Sequence, residues 1–113
     1  ECGGRFHTDF GSITYPETDD LYPNEVRCNW VVIVSSKATI ELKFTSLNTE
    51  NSHDVVEIRD GDSNSSPGLG SYSGDSLPPS MRTTTNKAFV HFSSDSSTQL
   101  KGFTLTWNSI GKH

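Results

Sequence analysis

No run of apolar residues in this 113-residue chain approaches the roughly 20 that a membrane-spanning helix needs. No basic and apolar leader precedes the opening ECGG, so we expect no membrane insertion and interpret the chain as a mature or excised soluble module. Lys and Arg are also scarce, nine against 14 Asp and Glu, which gives a net charge of −5. Without a concentrated basic patch, a nucleic-acid partner is disfavoured, whereas cations or basic groups on proteins are favoured.

Catalytic motifs are missing as well. The four histidines are widely separated and form no HExxH or Cys/His spacing of a zinc site. No GxSxG elbow and no Gly-rich phosphate loop is present. Hydrolysis by a pair of carboxylates, Glu50 and Asp54, is the catalytic alternative that these absences leave open. We expect that the protein is not an enzyme, because a small domain without an evident cleft gives that alternative little support.

No long stretch keeps a helical period, whereas several short apolar runs alternate with polar residues as β-strands do. In TIELKF, for example, Ile40, Leu42 and Phe44 alternate with polar neighbours. Turn sequences such as RDGD and SSPGLGS separate the runs at short intervals. The pattern predicts one all-β domain, an antiparallel β-sandwich. The predicted strands are Trp30 to Val34, Thr39 to Phe44, Val55 to Arg59, Ala88 to Phe92 and Phe103 to Trp107.

Cysteine is nearly absent, with Cys2 and Cys28 alone in the chain. Two cysteines can be buried free thiols, as in an intracellular protein. We favour a disulfide between them, because a terminal residue such as Cys2 is rarely buried and the bond would tether a Gly- and Pro-rich segment. The sequon Asn64-Ser65-Ser66 lies in a polar turn, and we predict Asn64 as a glycosylation site of a secreted protein.

A series of motifs along the chain resembles a CUB domain: CGG, CNW, IELKFTSL, DVVEIRDGD, LGSYSG, PPSMRTTTNKAFVHFSSDSS and GFTLTW. The resemblance runs from Cys2 to Trp107, so we predict a single domain over 1–113 with a core of 2–107 and a tail of 108–113. It implies a jelly-roll-like sandwich of two antiparallel sheets in an extracellular protein, secreted or at the cell surface. It also implies a module that binds partners and is not itself catalytic.

The chain departs from the family at the second of its usual disulfides. The loop before Asp54 reads ENSHD, without cysteine, and Ser73 stands where the family usually has Cys. The loss of both partners is self-consistent, since one alone would leave a free thiol. We expect packing around Val55, Val56 and Tyr72 to replace this bridge.

The resemblance to calcium-binding CUB domains implies a Ca²⁺ site, and its ligands are carried over by position. Ca²⁺ prefers hard oxygens, which carboxylates and backbone carbonyls supply. The implied ligands are Glu50, Asp54 and Asp95, with Ser97 and Thr98 after them, and Tyr22 braces the carboxylates. Asp60 is excluded from this set and interpreted as a turn former.

The resemblance also implies what the site binds. Glu50, Asp95 and Tyr22 would take an exposed Lys or Arg of a protein ligand. Two alternatives remain: a carbohydrate-binding protein similar to the spermadhesins, which predicts glycan partners, and a structural or dimerisation module without a ligand. Binding that depends on calcium would separate the protein-binding module from both alternatives.

Overall fold

The computed structural model describes residues 2–16, 21–22, 25–51, 53–95 and 100–111. The described residues form β-strands joined by turns and loops, and they include no helix long and apolar enough to cross a membrane. The prediction of an all-β sandwich is confirmed. The strands are β1 Gly4–Phe6, β2 Phe10–Tyr15, β3 Arg27–Ile33, β4 Thr39–Asn48, β5 Val55–Asp60, β6 Gly68–Tyr72, β7 Met81–Arg82, β8 Lys87–Ser93 and β9 Gly102–Ile110.

The strands form two sheets, one of five strands in the order β1-β3-β8-β5-β6 and one of four in the order β2-β9-β4-β7. Neighbouring strands run antiparallel except for β1, which pairs with β3 in parallel, with Gly4 opposite Trp30. The two sheets are thus antiparallel as predicted, with this one parallel pair at an edge among the described strands. Beside this pair Cys2 and Cys28 form the predicted disulfide, with their Cα atoms 5.5 Å apart. The bond holds β1 against the edge of the five-stranded sheet.

The core lies between the sheets because alternate residues of each central strand point inward. In β4 the inward residues Ile40, Leu42 and Phe44 are 0%, 0% and 1% exposed. Trp30 of β3 and Trp107 of β9 are buried in the same core, as their alternating neighbours predict. Burial of these large side chains is the main force that holds the two sheets together.

The sequence pattern did not mark four of the described strands, and it ended two others several residues too early, β4 at Phe44 and β9 at Trp107. β1, β2, β6 and β7 were not predicted; β1 and β7 are very short, and β6 reads GLGSY, which lacks alternation. β9 continues to Ile110, which pairs with Thr39, so the strand reaches into the segment predicted as a tail from residue 108. These strands depend on pairing with a neighbour more than on their own sequence.

One turn residue is more than a turn former. At the end of β5, Asp60 accepts hydrogen bonds from the backbone and hydroxyl groups of Thr84 and Thr85, at 2.6 to 3.2 Å. Burial alone would raise the pKa of Asp60, but these hydrogen bonds outweigh it and hold the pKa below its ordinary value. Asp60 thus fixes the loop before β8 at the end of the sandwich where β5 finishes.

Candidate metal centre

The candidate site lies at the opposite end of β5. β4 ends at Asn48 and β5 begins at Val55, so the connecting loop carries Glu50 and Asp54. Val55 pairs with Ser93, the last residue of the antiparallel strand β8. Because antiparallel neighbours place the start of one strand beside the end of the other, Asp54 meets the segment that follows β8, which carries Asp95.

Three carboxylates converge at this end. Glu50, Asp54 and Asp95 each place a carboxylate oxygen within 4.8 Å of the others. We call this group the acidic rim. Like charges so close repel one another, and a cation between them removes that cost. The arrangement is therefore suited to holding a cation.

Asp54 is the fixed centre of the acidic rim. Its side chain is 0% exposed, and both of its oxygens are held. The Tyr22 hydroxyl donates to Oδ2 at 2.5 Å, and the backbone N–H of Asp95 donates to Oδ1 at 2.8 Å. A buried carboxylate needs such donors, because a buried charge without hydrogen bonds is very costly.

Tyr22 supports the site from the core side, as the resemblance implied. Its ring packs edge-on against Phe92, and its hydroxyl oxygen also accepts the backbone N–H of Glu50 at 3.2 Å. Burial raises the pKa of Tyr22 far above its ordinary value, and the hydrogen bond to Asp54 raises it further. The hydroxyl therefore stays protonated and remains a donor to Asp54 at neutral pH.

The loop that carries Glu50 is a single tight turn. The Glu50 carbonyl accepts the backbone N–H groups of His53 at 3.1 Å and of Asp54 at 3.0 Å. This turn aims the Glu50 side chain at the cluster, where its Oε1 is buried and has no hydrogen-bond partner among the described residues. An orphaned buried carboxylate oxygen is costly unless a ligand binds it.

A polar clamp occupies the place of the missing second disulfide. Ser73 Oγ donates to Asn51 Oδ1 at 3.3 Å. Next to it, Thr49 and Gly74 exchange backbone hydrogen bonds at 3.0 and 3.1 Å. Hydrogen bonds between the loop and the segment after β6 thus join what a bridge would join.

The packing expected in place of the second disulfide joins the two sheets and does not hold the loop. The Tyr72 ring lies against Phe44 of the other sheet, with centroids 5.4 Å apart. Val56 is 0% exposed, and Val55 is half-buried. Val56 and Tyr72 thus pack between the two sheets, whereas the clamp holds the loop.

His53 is the residue at the site that the sequence reasoning did not assign. Its Nδ1 lies 3.6 Å from Asp95 Oδ2, and the His53 side chain is 61% exposed. The signal was its position immediately before Asp54, but nothing in the sequence showed that the ring turns toward Asp95. The imidazole stands at the solvent side of the acidic rim.

The structure brings together Glu50, Asp54, Asp95 and Tyr22 of the predicted site. Ser97 and Thr98, the two remaining predicted ligands, lie outside the described residues. Asn64 is exposed in the turn before β6, so its side chain is accessible, and its glycosylation stays a prediction.

Comparisons with known proteins agree on the kind of domain. The family model described as CUB domain matches residues 2–107. The chain is 36% identical to human Tolloid-like protein 1 over 94% of its length and 39% identical to rat cubilin over 95%. It spans only 11% and 3% of those two proteins.

Solved structures show the same fold. The chain superposes with a TM-score of 0.82 on a crystal structure described as the MASP-1 CUB2 domain bound to Ca²⁺. The identity is 22%, and the match covers 95% of this chain and 98% of that one. At this identity the likeness supports the fold of the sandwich.

Proposed function

The chain belongs to the CUB domain family, and from that premise we propose that it is an extracellular protein-binding module that takes up Ca²⁺ at the acidic rim. The observation that carries this proposal is the convergence of Glu50, Asp54 and Asp95 from two loops. The extracellular setting is supported by the disulfide and by the relatives, which are extracellular or secreted proteins.

The residues present fit a calcium ion. All three side chains offer hard oxygen ligands, and the buried Oε1 of Glu50 lacks any other partner among the described residues. Bound calcium would neutralise the three carboxylates and join the loop after β4 to the segment after β8. The chain's own part is to hold Asp54 rigidly, through Tyr22 and the N–H of Asp95.

The outer acids of the rim would receive a basic side chain from a protein ligand. The Asp95 side chain is 38% exposed, whereas Asp54 is 0% exposed and out of reach of a partner. A Lys or Arg of the ligand would therefore meet Asp95 and Glu50, whereas Tyr22 is as buried as Asp54 and would support the rim without touching the ligand. A charge-assisted hydrogen bond of this kind contributes about 1.5 to 3 kcal/mol.

We also propose that the module is not catalytic. Hydrolysis by Glu50 and Asp54 would require both carboxylates to reach a substrate, and Asp54 is buried with both oxygens already engaged. Incubation of the protein with chromogenic glycosides tests this proposal. Turnover that Asp54→Asn abolishes would contradict it.

Calorimetric titration with Ca²⁺ tests the metal site. We expect one binding site in the wild-type chain and none in Asp54→Ala. Asp60→Ala is the matched control, since it removes an aspartate from the other end of β5 and should titrate like the wild type. A wild-type chain that takes up no Ca²⁺ would overturn the proposal.

A sensor surface coated with lysine side chains tests the ligand chemistry. We expect the wild-type chain to bind it in calcium and to leave it in chelator. Glu50→Gln should weaken that binding, whereas Glu41→Gln on the outer face of β4 should not. Retention that is indifferent to chelator would show general charge attraction and would contradict the proposed recognition.

A further inference from the structure

β6 is an edge strand that lacks the charged side chains which discourage pairing, although its ladder with β5 has a register shift between Ile58 and Arg59. It is the last strand of the five-stranded sheet, and no described strand pairs with its outer side. No charged residue occurs from Ser63 to Gly74, which includes the whole strand. Edge strands commonly carry charges that prevent pairing with another chain, as Arg5 of β1 and Arg82 of β7 do here, whereas the edge strands β2 and β6 carry none.

A cavity lies beside this edge. It has a volume of about 290 Å³ and is lined by Glu57, Ile58 and Arg59 of β5 and by Gly68–Ser71 of β6. Gly68 leaves it open on the side of Arg59, because a Cβ there would approach only Arg59 Nη1, at 3.7 Å. The volume is at the lower limit for a small-molecule pocket, which is about 300 Å³. The space therefore suits a few side-chain atoms of a partner better than a whole ligand.

The cavity carries one charge of each sign. Arg59 donates from Nη1 to the Ser66 carbonyl at 3.0 Å, and its Nη2 lies 3.4 Å from Glu57 Oε1. The Nε–H of Arg59 is buried and has no acceptor among the described residues. The Arg59 side chain as a whole is 25% exposed, so part of it can meet an arriving carboxylate.

A two-fold axis makes this surface complementary to itself. Glu57 lies level with Ser71 of β6, and Arg59 lies level with Gly68. If two β6 strands pair antiparallel about an axis between Leu69 and Gly70, Ser71 of each copy lies opposite Gly68 of the other, and the Glu57 level of each copy meets the Arg59 level of the other. Three strand spacings, about 14 Å, then separate the two backbones, and the intervening strands carry small side chains at these levels.

We propose that β6 is a self-association edge, through which two copies of this chain join their five-stranded sheets with Glu57 of each facing Arg59 of the other. Such an interface is isologous, so both pairs form at once. The edge is free of charge, although each copy has a net charge of −5. A strand of five residues buries little area, so the dimer is weak and forms at high local concentration.

Charge exchange between the two copies tests the proposal. Sedimentation equilibrium of the chain, in chelator and up to about 1 mM, should show a monomer–dimer equilibrium. The conditions exclude any contribution from calcium, so the result is independent of the proposed function. Glu57→Arg and Arg59→Glu should each weaken association at least tenfold, because like charges then face each other across the axis. An equimolar mixture of the two variants should associate as well as the wild type.

The controls separate this edge from general charge effects. Lys43→Glu, on the outer face of the other sheet, changes the net charge as Arg59→Glu does and should leave association unchanged. Ser71→Glu keeps Glu57 and Arg59 intact and should weaken association by charging the edge. The measurement is repeated after enzymatic removal of any N-glycan, because Asn64 lies in the turn before β6. A wild-type chain that stays monomeric in both preparations, or a mixture no better than the single variants, would overturn the proposal.

Discussion

An aspartate lies at each end of β5, and the two acids differ in how their negative charge is balanced. Asp60 accepts hydrogen bonds from Thr84 and Thr85. Among the described residues it does not belong to a group of acids close enough to hold a metal ion. Asp54 also has both oxygens engaged, but it lies within 4.8 Å of two further carboxylates. Asp60 is thus balanced by donors, whereas at the acidic rim three carboxylates converge and Oε1 of Glu50 is buried without a donor among the described residues.

The difference shows how to tell a structural carboxylate from a ligand. Asp54 immediately precedes β5 and Asp60 is its last residue. Each would be interpreted from sequence as a residue of a polar turn. What separates them is the number of N–H and O–H groups aimed at each, together with the nearest like charges. A buried acid whose donors are complete holds a loop, and a group of acids with an orphaned oxygen such as Glu50 Oε1 favours a cation.

The largest effect should follow from removing the centre of the acidic rim. Asp54→Ala leaves the Tyr22 hydroxyl and the Asp95 N–H buried without an acceptor, and we expect the free energy of unfolding to fall by about 3 kcal/mol. Calcium uptake should be lost as well. Urea denaturation in chelator measures the first effect and calorimetry the second. Asp54→Asn, which keeps the shape, should retain more of the stability; equal losses would contradict the role of the two donors.

Calcium should stabilise one end of the sandwich through the rim alone. At a hundredfold excess over Kd we expect about 2.7 kcal/mol of additional stability, seen as a higher Tm. Asp95→Ala should remove this increment and leave the Tm in chelator nearly unchanged, since the empty site loses one of three repelling charges. Asp60→Ala should keep the increment. If Asp95→Ala keeps it too, the ion is held elsewhere.

Asp60 should contribute less to the free energy of unfolding than Asp54, and its contribution should be lost in acid. Its folded pKa is lowered, so its stabilisation is complete above the unfolded value and is lost as pH falls through the folded pKa, below about pH 4. Asp60→Ala should cost about 1 to 2 kcal/mol at neutral pH. Thermal melts from pH 7 to pH 2 should show the variant converging on the wild type in acid. A constant difference across that range would contradict this explanation.

The polar clamp should have the smallest effect. Ser73→Ala removes one partly exposed hydrogen bond to Asn51, and we expect a loss of about 0.5 to 1 kcal/mol. The affinity for calcium should change by a larger fraction than the free energy of unfolding does, because the clamp orders the loop that carries Glu50. Calorimetry on Ser73→Ala, with Ser71→Ala on β6 as the control, measures it. Equal calcium affinity in the two variants would show that the turn orders itself.

The sequence was sufficient for the strands that alternate and insufficient for those that do not. Ile40, Leu42 and Phe44 mark β4 because a buried face requires apolar residues at every second position. β6 has two glycines and gains its order from the ladder with β5. The parallel pairing of β1 has no local signal at all, because it depends on where the bond to Cys28 holds the N-terminal segment.

The candidate site was predictable in its ligands but not in its support. The resemblance to calcium-binding CUB domains implied Glu50, Asp54 and Asp95 by position, and the structure brings all three together. The clamp of Ser73 with Asn51 and the approach of His53 to Asp95 could not be predicted. Each depends on side-chain directions that follow from tertiary packing and leave no pattern in the sequence.

The disulfide continues the register of the parallel ladder, which decides how the module responds to pulling. Cys2 and Cys28 are 26 residues apart, the same offset by which Gly4 pairs with Trp30. Tension applied at Cys2 therefore passes through a covalent rung straight into β3, and the intervening segment carries no load. Once that bond is reduced, pulling β1 and β2 out of their ladders would add a length of about 90 Å, at roughly 3.5 Å for each of the 26 residues. The bond sets how far the N-terminal segment of the module can extend under force.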